Sequence, residues 1–327
     1  MSFISRAMSN SSPAAILLAA LSCPLTALGG EATLTLDNDF FAGFDRHYTN
    51  GFQLALLGDT ASLPGPLRAM HPFGDAVDKQ YTFAIGQRIY TPADKSASPP
   101  DPADRPYAGW LYALAEFRMR RDNVLDHFMV SLGMVGPASL ARQAQNAVHR
   151  ITGSERAQGW DAQIRNEATV LLAYERAWPR AAPVSFDGGM QFDLTPRAGA
   201  TIGNALTYAN AGLIARLGRG LPDDFPATHI SLGPPRDGYR AKTSSRGWYV
   251  WAGTDARAVG RNIFLDGNSF RSSANVDRKT FVWDAQLGAA ATWGYQRLGF
   301  SVVRRSAEFT SQVKSDKFGQ LTYSFQY

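Results

Sequence analysis

The chain ends Leu321-Thr322-Tyr323-Ser324-Phe325-Gln326-Tyr327. An apolar or aromatic residue fills every second position, and the last residue is aromatic. Successive side chains on a strand point to opposite faces, so this segment has one apolar and one polar face. Two settings suit such a strand. One is the last strand of a soluble sandwich. The other is a barrel wall with lipid on one side and a polar lumen on the other.

The opposite terminus separates these settings. Arg6 is followed by the apolar run AAILLAAL at residues 14–21, which is far too short to span a bilayer. Ala27-Leu28-Gly29 offers a small-x-small cleavage site, so residues 1–29 read as a secretory signal and the mature chain begins near Gly30. No other stretch reaches about 18 consecutive apolar residues, so no transmembrane helix is expected. A secreted, strand-rich chain with an aromatic last residue reads as an outer-membrane barrel over residues 30–327. That terminal strand resembles the signal read by the outer-membrane barrel-assembly machinery, the expected partner in folding.

Cys23 is the only cysteine of the 327 residues and would leave with the signal. The mature protein then has no disulfide, which suits passage through an oxidising compartment. The formal net charge is +5, about +4 once Arg6 is removed. No run of Lys or Arg resembles a nucleic-acid stripe, so nucleic acid is not an expected partner.

The body of the chain repeats the terminal pattern. Ala32, Leu34 and Leu36 alternate with Thr33, Thr35 and Asp37. Phe52, Leu54 and Leu56 follow Thr49-Asn50-Gly51, and Tyr81, Phe83 and Ile85 alternate with smaller or polar residues. Residues 109–119 and 128–134 pair across Arg121-Asp122-Asn123. Further strands are expected at 168–178, 190–203, 206–217, 248–259, 280–293, 298–309 and 321–327. That makes about 12 segments, an even number as bacterial barrels require. The expected fold is all-β: a 12-stranded antiparallel transmembrane β-barrel with a short helix in an extracellular loop. Trp110, Tyr112, Trp178, Trp248, Trp251, Trp283 and Trp293 are expected to face outward as an aromatic girdle. Residues 59–79 form a long periplasmic turn in this scheme, and 219–246 a Pro/Gly-rich connection. Residues 262–277 carry the turn sequence Leu265-Asp266-Gly267-Asn268.

One segment breaks the period of two. Residues 137–155, PASLARQAQNAVHRITGSE, are rich in helix formers and free of Gly and Pro between Ser139 and Gly153. Ser139 is the expected N-cap and Gly153 the stop. Gln145 and His149, four residues apart, share one helix face. Counting strands puts this helix in the outer loop between strands five and six.

Familiar catalytic motifs are absent: there is no Gly-x-Ser-x-Gly elbow, phosphate loop or dinucleotide fingerprint. The other histidines, His47, His71, His127 and His229, show no metal-ligand spacing. Asp37-Asn38-Asp39 offers three oxygen-bearing side chains at a strand end, as a hard cation would need, or simply a polar entry to a loop. Tyr48-Thr49-Asn50-Gly51, Asp104-Arg105-Pro106-Tyr107-Ala108-Gly109, the helix loop and Gly159-Trp160-Asp161 all sit near outer strand ends, where they can converge on one rim.

This ordered set, with Asn38-Asp39-Phe40 and with Gly136-Pro137 through Gln145, His149 and Glu155 to Trp160, resembles the lipid A deacylase (LpxR-like) family of outer-membrane enzymes. The resemblance covers essentially the whole mature chain. It implies a barrel enzyme that hydrolyses the ester of the 3′-linked acyloxyacyl group of lipid A, the lipopolysaccharide anchor of the outer leaflet. It implies His149 as general base and a Ca2+ site shaped by Asn38 and Asp39, with Thr49 beside it. Gln145 and Glu155 would support the helix, the water or the metal. Lys95, in Pro92-Ala93-Asp94-Lys95-Ser96, is the only candidate for the family's loop lysine and would face substrate phosphate. Arg105 and Tyr107 stand as further substrate contacts, although Asp104-Arg105 also reads as an ion pair pinning a loop.

The chemistry is coherent without the family. Ester hydrolysis builds negative charge on the carbonyl oxygen, which a divalent cation stabilises. Imidazole, with an unperturbed pKa of about 6.5, accepts a proton from water at neutral pH, so no covalent nucleophile is required. The competing expectations are a non-enzymatic barrel, either a narrow channel or a surface-binding protein, and a phospholipase-type lipid hydrolase.

Overall fold

Exposure alternates residue by residue along the strands, and that alternation sets which face meets lipid. A computed structural model describes residues 30–39, 47–60, 78–153, 155–222 and 246–327. The expected signal segment with Cys23, and Phe40, His71, His229 and most of the connections 59–79 and 219–246, lie outside the described residues.

Twelve strands close a ring: β1 (Gly30–Asn38), β2 (His47–Asp59), β3 (Asp78–Thr91), β4 (Ala108–Arg121), β5 (Val124–Val135), β6 (Glu167–Ala177), β7 (Met190–Gly203), β8 (Leu206–Arg219), β9 (Gly247–Asn262), β10 (Phe281–Trp293), β11 (Gln296–Arg305) and β12 (Asp316–Gln326). All neighbours are antiparallel. Closure is made by β1 against β12, in register from Glu31↔Gln326 to Asn38↔Gly319. On the other side of the ring, β6 joins β7. A two-residue strand, Val184–Ser185, extends β7 beyond the ring. Closure leaves no sheet edge to template aggregation.

The two-residue turns after β4 and β10 lie at the same end as both termini. With both termini on the periplasmic side, the helix loop, at the opposite end, faces outside.

On the inner face, Thr33, Thr35 and Asp37 are buried, while Phe52, Leu54 and Phe83 are exposed on the outer face. The bore is filled by paired charges. Arg216 lies 2.7 Å from Asp193, Arg197 2.8 Å from Asp255, and Arg305 2.9 Å from Asp284. Removing one partner of such a buried pair costs about 3–5 kcal/mol, because the other charge is stranded. A bore packed this way gives little support to the channel alternative.

The aromatic girdle is smaller than expected. Trp178, Trp248, Trp283 and Trp293 are exposed, but Trp110, Tyr112 and Trp251 are buried. Phase explains the difference. Trp110 and Tyr112 share the inward phase of Glu116 and Arg118, and Trp251 that of Asp255 and Arg257. Trp110 donates from Nε1 to Thr169 Oγ1 at 2.9 Å. The expected turn at Leu265-Asp266-Gly267-Asn268 is instead the end of a one-turn helix, α2 (Ile263–Asp266). Its Phe264 enters the mouth of the bore and stacks on Tyr90 at 4.4 Å. Gly267, at φ 73°, closes that turn with its N–H on the Ile263 carbonyl.

The helix of the outer loop, α1, spans Ala141–Thr152. Ser139 is not its N-cap. Pro137–Ser139 forms a separate 3-10 turn, and Leu140 caps α1 at φ 61° with no side-chain hydrogen bond. The Ser139 hydroxyl instead donates to the Gly136 carbonyl at 2.6 Å. Gly153 is the stop, at φ 73°, with its N–H on the His149 carbonyl.

Candidate active site

The helix α1 lies against the outside of the barrel wall. Inward phase on β3 belongs to Thr82, Arg88 and Tyr90, so Gln87, Ile89 and Thr91 share the outward phase of Phe83. Gln87 donates from Nε2 to the Ser139 carbonyl at 2.6 Å. Ile89 packs with Tyr107, Ala141, Ala157 and Trp160. Gly109 makes this seat possible: a Cβ there would stand 2.2 Å from both Ala141 Cβ and Ser139 Oγ.

Four-residue spacing then buries one stripe of α1, formed by Ala141, Gln145 and His149. His149 is 7% exposed. Its Nδ1 bonds the backbone carbonyl of Glu155. A carbonyl only accepts, so Nδ1 carries the proton, and Nε2 of the neutral ring carries the lone pair. Glu155 itself is exposed, and it is the main-chain oxygen that orients the ring.

Gln145 is oriented in the same way. Trp160 donates from Nε1 to Gln145 Oε1 at 2.7 Å. The amide's other end, Nε2, is a buried donor with no hydrogen-bond partner among the described residues.

The opposite part of the site comes from the outer ends of β1 and β2. Asn38 ends β1, and Asp39, almost fully buried, follows it. The register of β2 against β3 breaks between Tyr48 and Asn50, so Thr49 is an extra residue. The bulge lets its hydroxyl meet that of Thr91 at 2.7 Å. Lys95 interacts with Asp39 electrostatically. Burial pulls the lysine's pKa below its ordinary value, and the Asp39 charge offsets part of that fall.

A chain of contacts links these ends to the helix. The Lys95 carbonyl accepts from the Gln158 N–H at 2.8 Å and from the Tyr107 hydroxyl at 3.3 Å. Tyr107 packs on Trp160 at 5.0 Å between ring centroids, and Trp160 holds Gln145. Asp39, Lys95 and Gln145 therefore belong to one connected structure, and the position of Thr49 follows from β3.

Arg105 and Tyr107, expected as substrate contacts, are both buried in this structure. Arg105 is 1% exposed, with Nη1 3.3 Å from Glu308 and its guanidinium over the Tyr90 ring. Tyr107 is fully buried and props the Lys95 loop.

Among the described residues, no group of three or more His, Cys, Asp or Glu could hold a metal ion. A cation here would rest on one carboxylate, Asp39, with neutral oxygens from Asn38 and Thr49. An all-oxygen set of that kind fits a hard cation such as Ca2+ and does not fit zinc.

The family model for the outer membrane protein LpxR matches residues 9–327. The chain belongs to the LpxR family. Its fold is also that of LpxR from Salmonella typhimurium, which is 22% identical, with a TM-score of 0.75 over 91% of this chain and 100% of that one. The β domain of the Bordetella autotransporter BrkA is 11% identical with a TM-score of 0.44, covering 92% of this chain and 100% of that one. The translocator domain of NalP from Neisseria meningitidis is 10% identical with a TM-score of 0.36, covering 96% and 97%. No curated protein sequence matches the chain. As a closed barrel of the LpxR family, the protein is integral to the outer membrane.

In this LpxR-family barrel the loop bearing Lys95 is clasped by its own acid. Asp104 accepts from the Ala93 N–H at 2.7 Å and lies 3.2 Å from His47, which also meets Asp316 at 2.8 Å. Burial raises the Asp104 pKa, but the bonds from His47, Ala93 and Arg105 outweigh it and leave the carboxyl below its ordinary value. A depressed carboxyl contributes stability above its unfolded value of about 3.9 and loses it as pH falls through the folded one. Amide exchange in residues 92–107 is therefore expected to stay slow from neutral pH to about pH 5 and to rise only below about pH 4. Loss of protection already near pH 6 would assign the clasp to another group.

The sequence did not reveal Thr91, the indole of Trp160 as the Gln145 anchor, or the Glu155 carbonyl. Only the repeated appearance of such residues near outer strand ends hinted at them.

Proposed function

We propose that the protein is a lipid A-modifying ester hydrolase that removes the 3′-linked acyloxyacyl group in the outer leaflet. The observation that supports this best is His149. Its Nδ1–H is committed to a carbonyl, and its ring sits on the buried face of a helix laid on the lipid-facing side of the wall. A membrane lipid can approach such a site sideways without leaving the leaflet.

His149 Nε2 takes a proton from water as the water oxygen bonds to the ester carbonyl carbon. The tetrahedral oxyanion then collapses, the bond to the sugar oxygen breaks, and the imidazolium returns its proton to that oxygen. The acyloxyacyl group leaves as a carboxylic acid, which releases its proton to solvent and becomes a carboxylate. Gln145 Nε2 is the protein donor suited to the developing oxyanion. Bound Ca2+, held by Asp39 with Asn38 and Thr49, would supply positive charge to the same oxygen. The Lys95 ammonium suits a substrate phosphate.

Mass spectrometry of lipid A from cells with and without the protein tests the reading. Loss of the 3′-linked acyloxyacyl group is expected, with phospholipid pools unchanged. Unaltered lipid A at saturating calcium would sink it, and cleaved glycerophospholipid would favour the phospholipase alternative.

The seat of the helix gives a second expected result. Gly109→Ala places a methyl where α1 begins and displaces the helix from the wall. A shift of about 1 Å lowers turnover by about 100-fold, while the barrel keeps its fast migration on unheated gels. Full activity in this variant would mean that the seat does not position the chemistry.

A further inference from the structure

Trp160 borders a second feature. A groove of about 600 Å³ lies between the helix loop and the β9–β10 loop, and Arg142, Trp160, Arg165 and Arg271 line it. Asp161 is the only acidic residue in the lining, and it pairs with Arg142 at 2.7 Å. The charges of Arg165 and Arg271 remain uncompensated by any acid of the groove.

The groove is built by bonds between the two loops. Asn268 reaches across to Arg165, accepting from its N–H at 2.8 Å and donating to its carbonyl at 2.8 Å. Arg165 Nε donates to the Ser272 carbonyl at 3.3 Å. Asn268 and Ser269 also both donate to Glu167, at 3.1 and 2.8 Å. These contacts carry the segment with Arg271 toward the arginines of the helix loop. Arg271 itself is exposed and makes no hydrogen bond or ion pair among the described residues. The groove is therefore shaped before any ligand arrives, and its volume lies within the range of small-molecule sites, about 300–1,000 Å³. Guanidinium forks match phosphate and carboxylate in two-point contacts.

We propose that this groove binds the anionic saccharide headgroup of the outer-leaflet glycolipid substrate, through phosphate or carboxylate groups on Arg165 and Arg271. The inference rests on the hydrolase reading for its ligand and adds a subsite apart from Lys95. Trp160, which lines the groove and holds Gln145, connects the groove to the buried face of α1.

Binding tests this without turnover. A fully deacylated, water-soluble lipid A saccharide that keeps its phosphates is titrated calorimetrically into the intact barrel in detergent, as wild type, Arg271→Gln and Arg165→Gln/Arg271→Gln. Affinity is expected to fall about tenfold in the single variant, the size of one charge-assisted hydrogen bond, and further in the double variant. Equal affinity in all three overturns the proposal, as does equal binding of a dephosphorylated saccharide. Inorganic phosphate that displaces the saccharide at equal concentration would reassign the groove to free phosphate and overturn the headgroup assignment. Arg271 holds nothing in place, so its substitution leaves the barrel folded. With lipid A in mixed micelles, Arg271→Gln is expected to raise KM about tenfold with kcat within about twofold. A wild type without hydrolase activity would refute the hydrolase reading alone, because the calorimetry stands apart from it.

Discussion

Replacing His149 with alanine is expected to lower lipid A deacylation by about 100-fold or more, the range of a lost general base. The loss falls on kcat, because the imidazole acts on water and contributes little to holding the lipid. The fold survives: the bond that stops α1 uses the His149 main-chain carbonyl, which alanine keeps. Unheated-gel mobility and amide protection of the strands should match the wild type. Glu155→Ala is the informative contrast. Its carbonyl orients the ring and its side chain is exposed, so the loss should be under about tenfold. Equal collapse of both variants would mean that the Glu155 carboxylate takes part. Near-normal activity in His149→Ala would remove the histidine from the reaction.

The second large effect is expected at Asp39. Asparagine keeps its size and removes the carboxylate proposed to hold the cation, so Asp39→Asn should lower kcat by about 100- to 1,000-fold, as for a lost oxyanion stabiliser. In the wild type, chelation should abolish activity and added calcium should restore it. The variant should not respond to calcium. Calorimetric titration with calcium gives a readout independent of turnover: binding in the wild type, none in Asp39→Asn. Undiminished hydrolysis under chelation would exclude this role for calcium, and unaltered calcium binding in the variant would place the ion elsewhere. Asp39→Asn also removes the charge that offsets burial of Lys95, so the Lys95 pKa should fall further.

The candidate residues were legible as positions along the chain. Asn38, Asp39, Thr49, Lys95, Gln145 and His149 each occur near the outer end of a strand or on the helix, and the order of the strands brings those ends to one region. Their partners were not legible. Thr49 meets Thr91 because of a bulge, and nothing in Thr49-Asn50-Gly51 announces one. Arg105 forms an ion pair, but with Glu308, 203 residues away, and not with a neighbour in its own loop. Trp110 and Trp251 looked like girdle residues because tryptophan suits both an interface and a packed bore, and strand phase distinguishes the two.

The sequence by itself determined the barrel, its strand number and the place of the helix. Period-two alternation is a property of neighbouring residues, and closing such strands into a barrel is the way a sheet spans a membrane. Tertiary structure alone decided which atoms meet: the Glu155 carbonyl with His149, the Trp160 indole with Gln145, Asn268 with Arg165 across the arginine groove. The physical reason is closure. Rolling the sheet into a ring and folding two loops back on its rim creates contacts between residues distant in the chain, and no local pattern encodes them. The final segment, Leu321 to Tyr327, shows both sides. Its alternation announced a barrel strand, and pairing with β1 made it the seam that closes the ring.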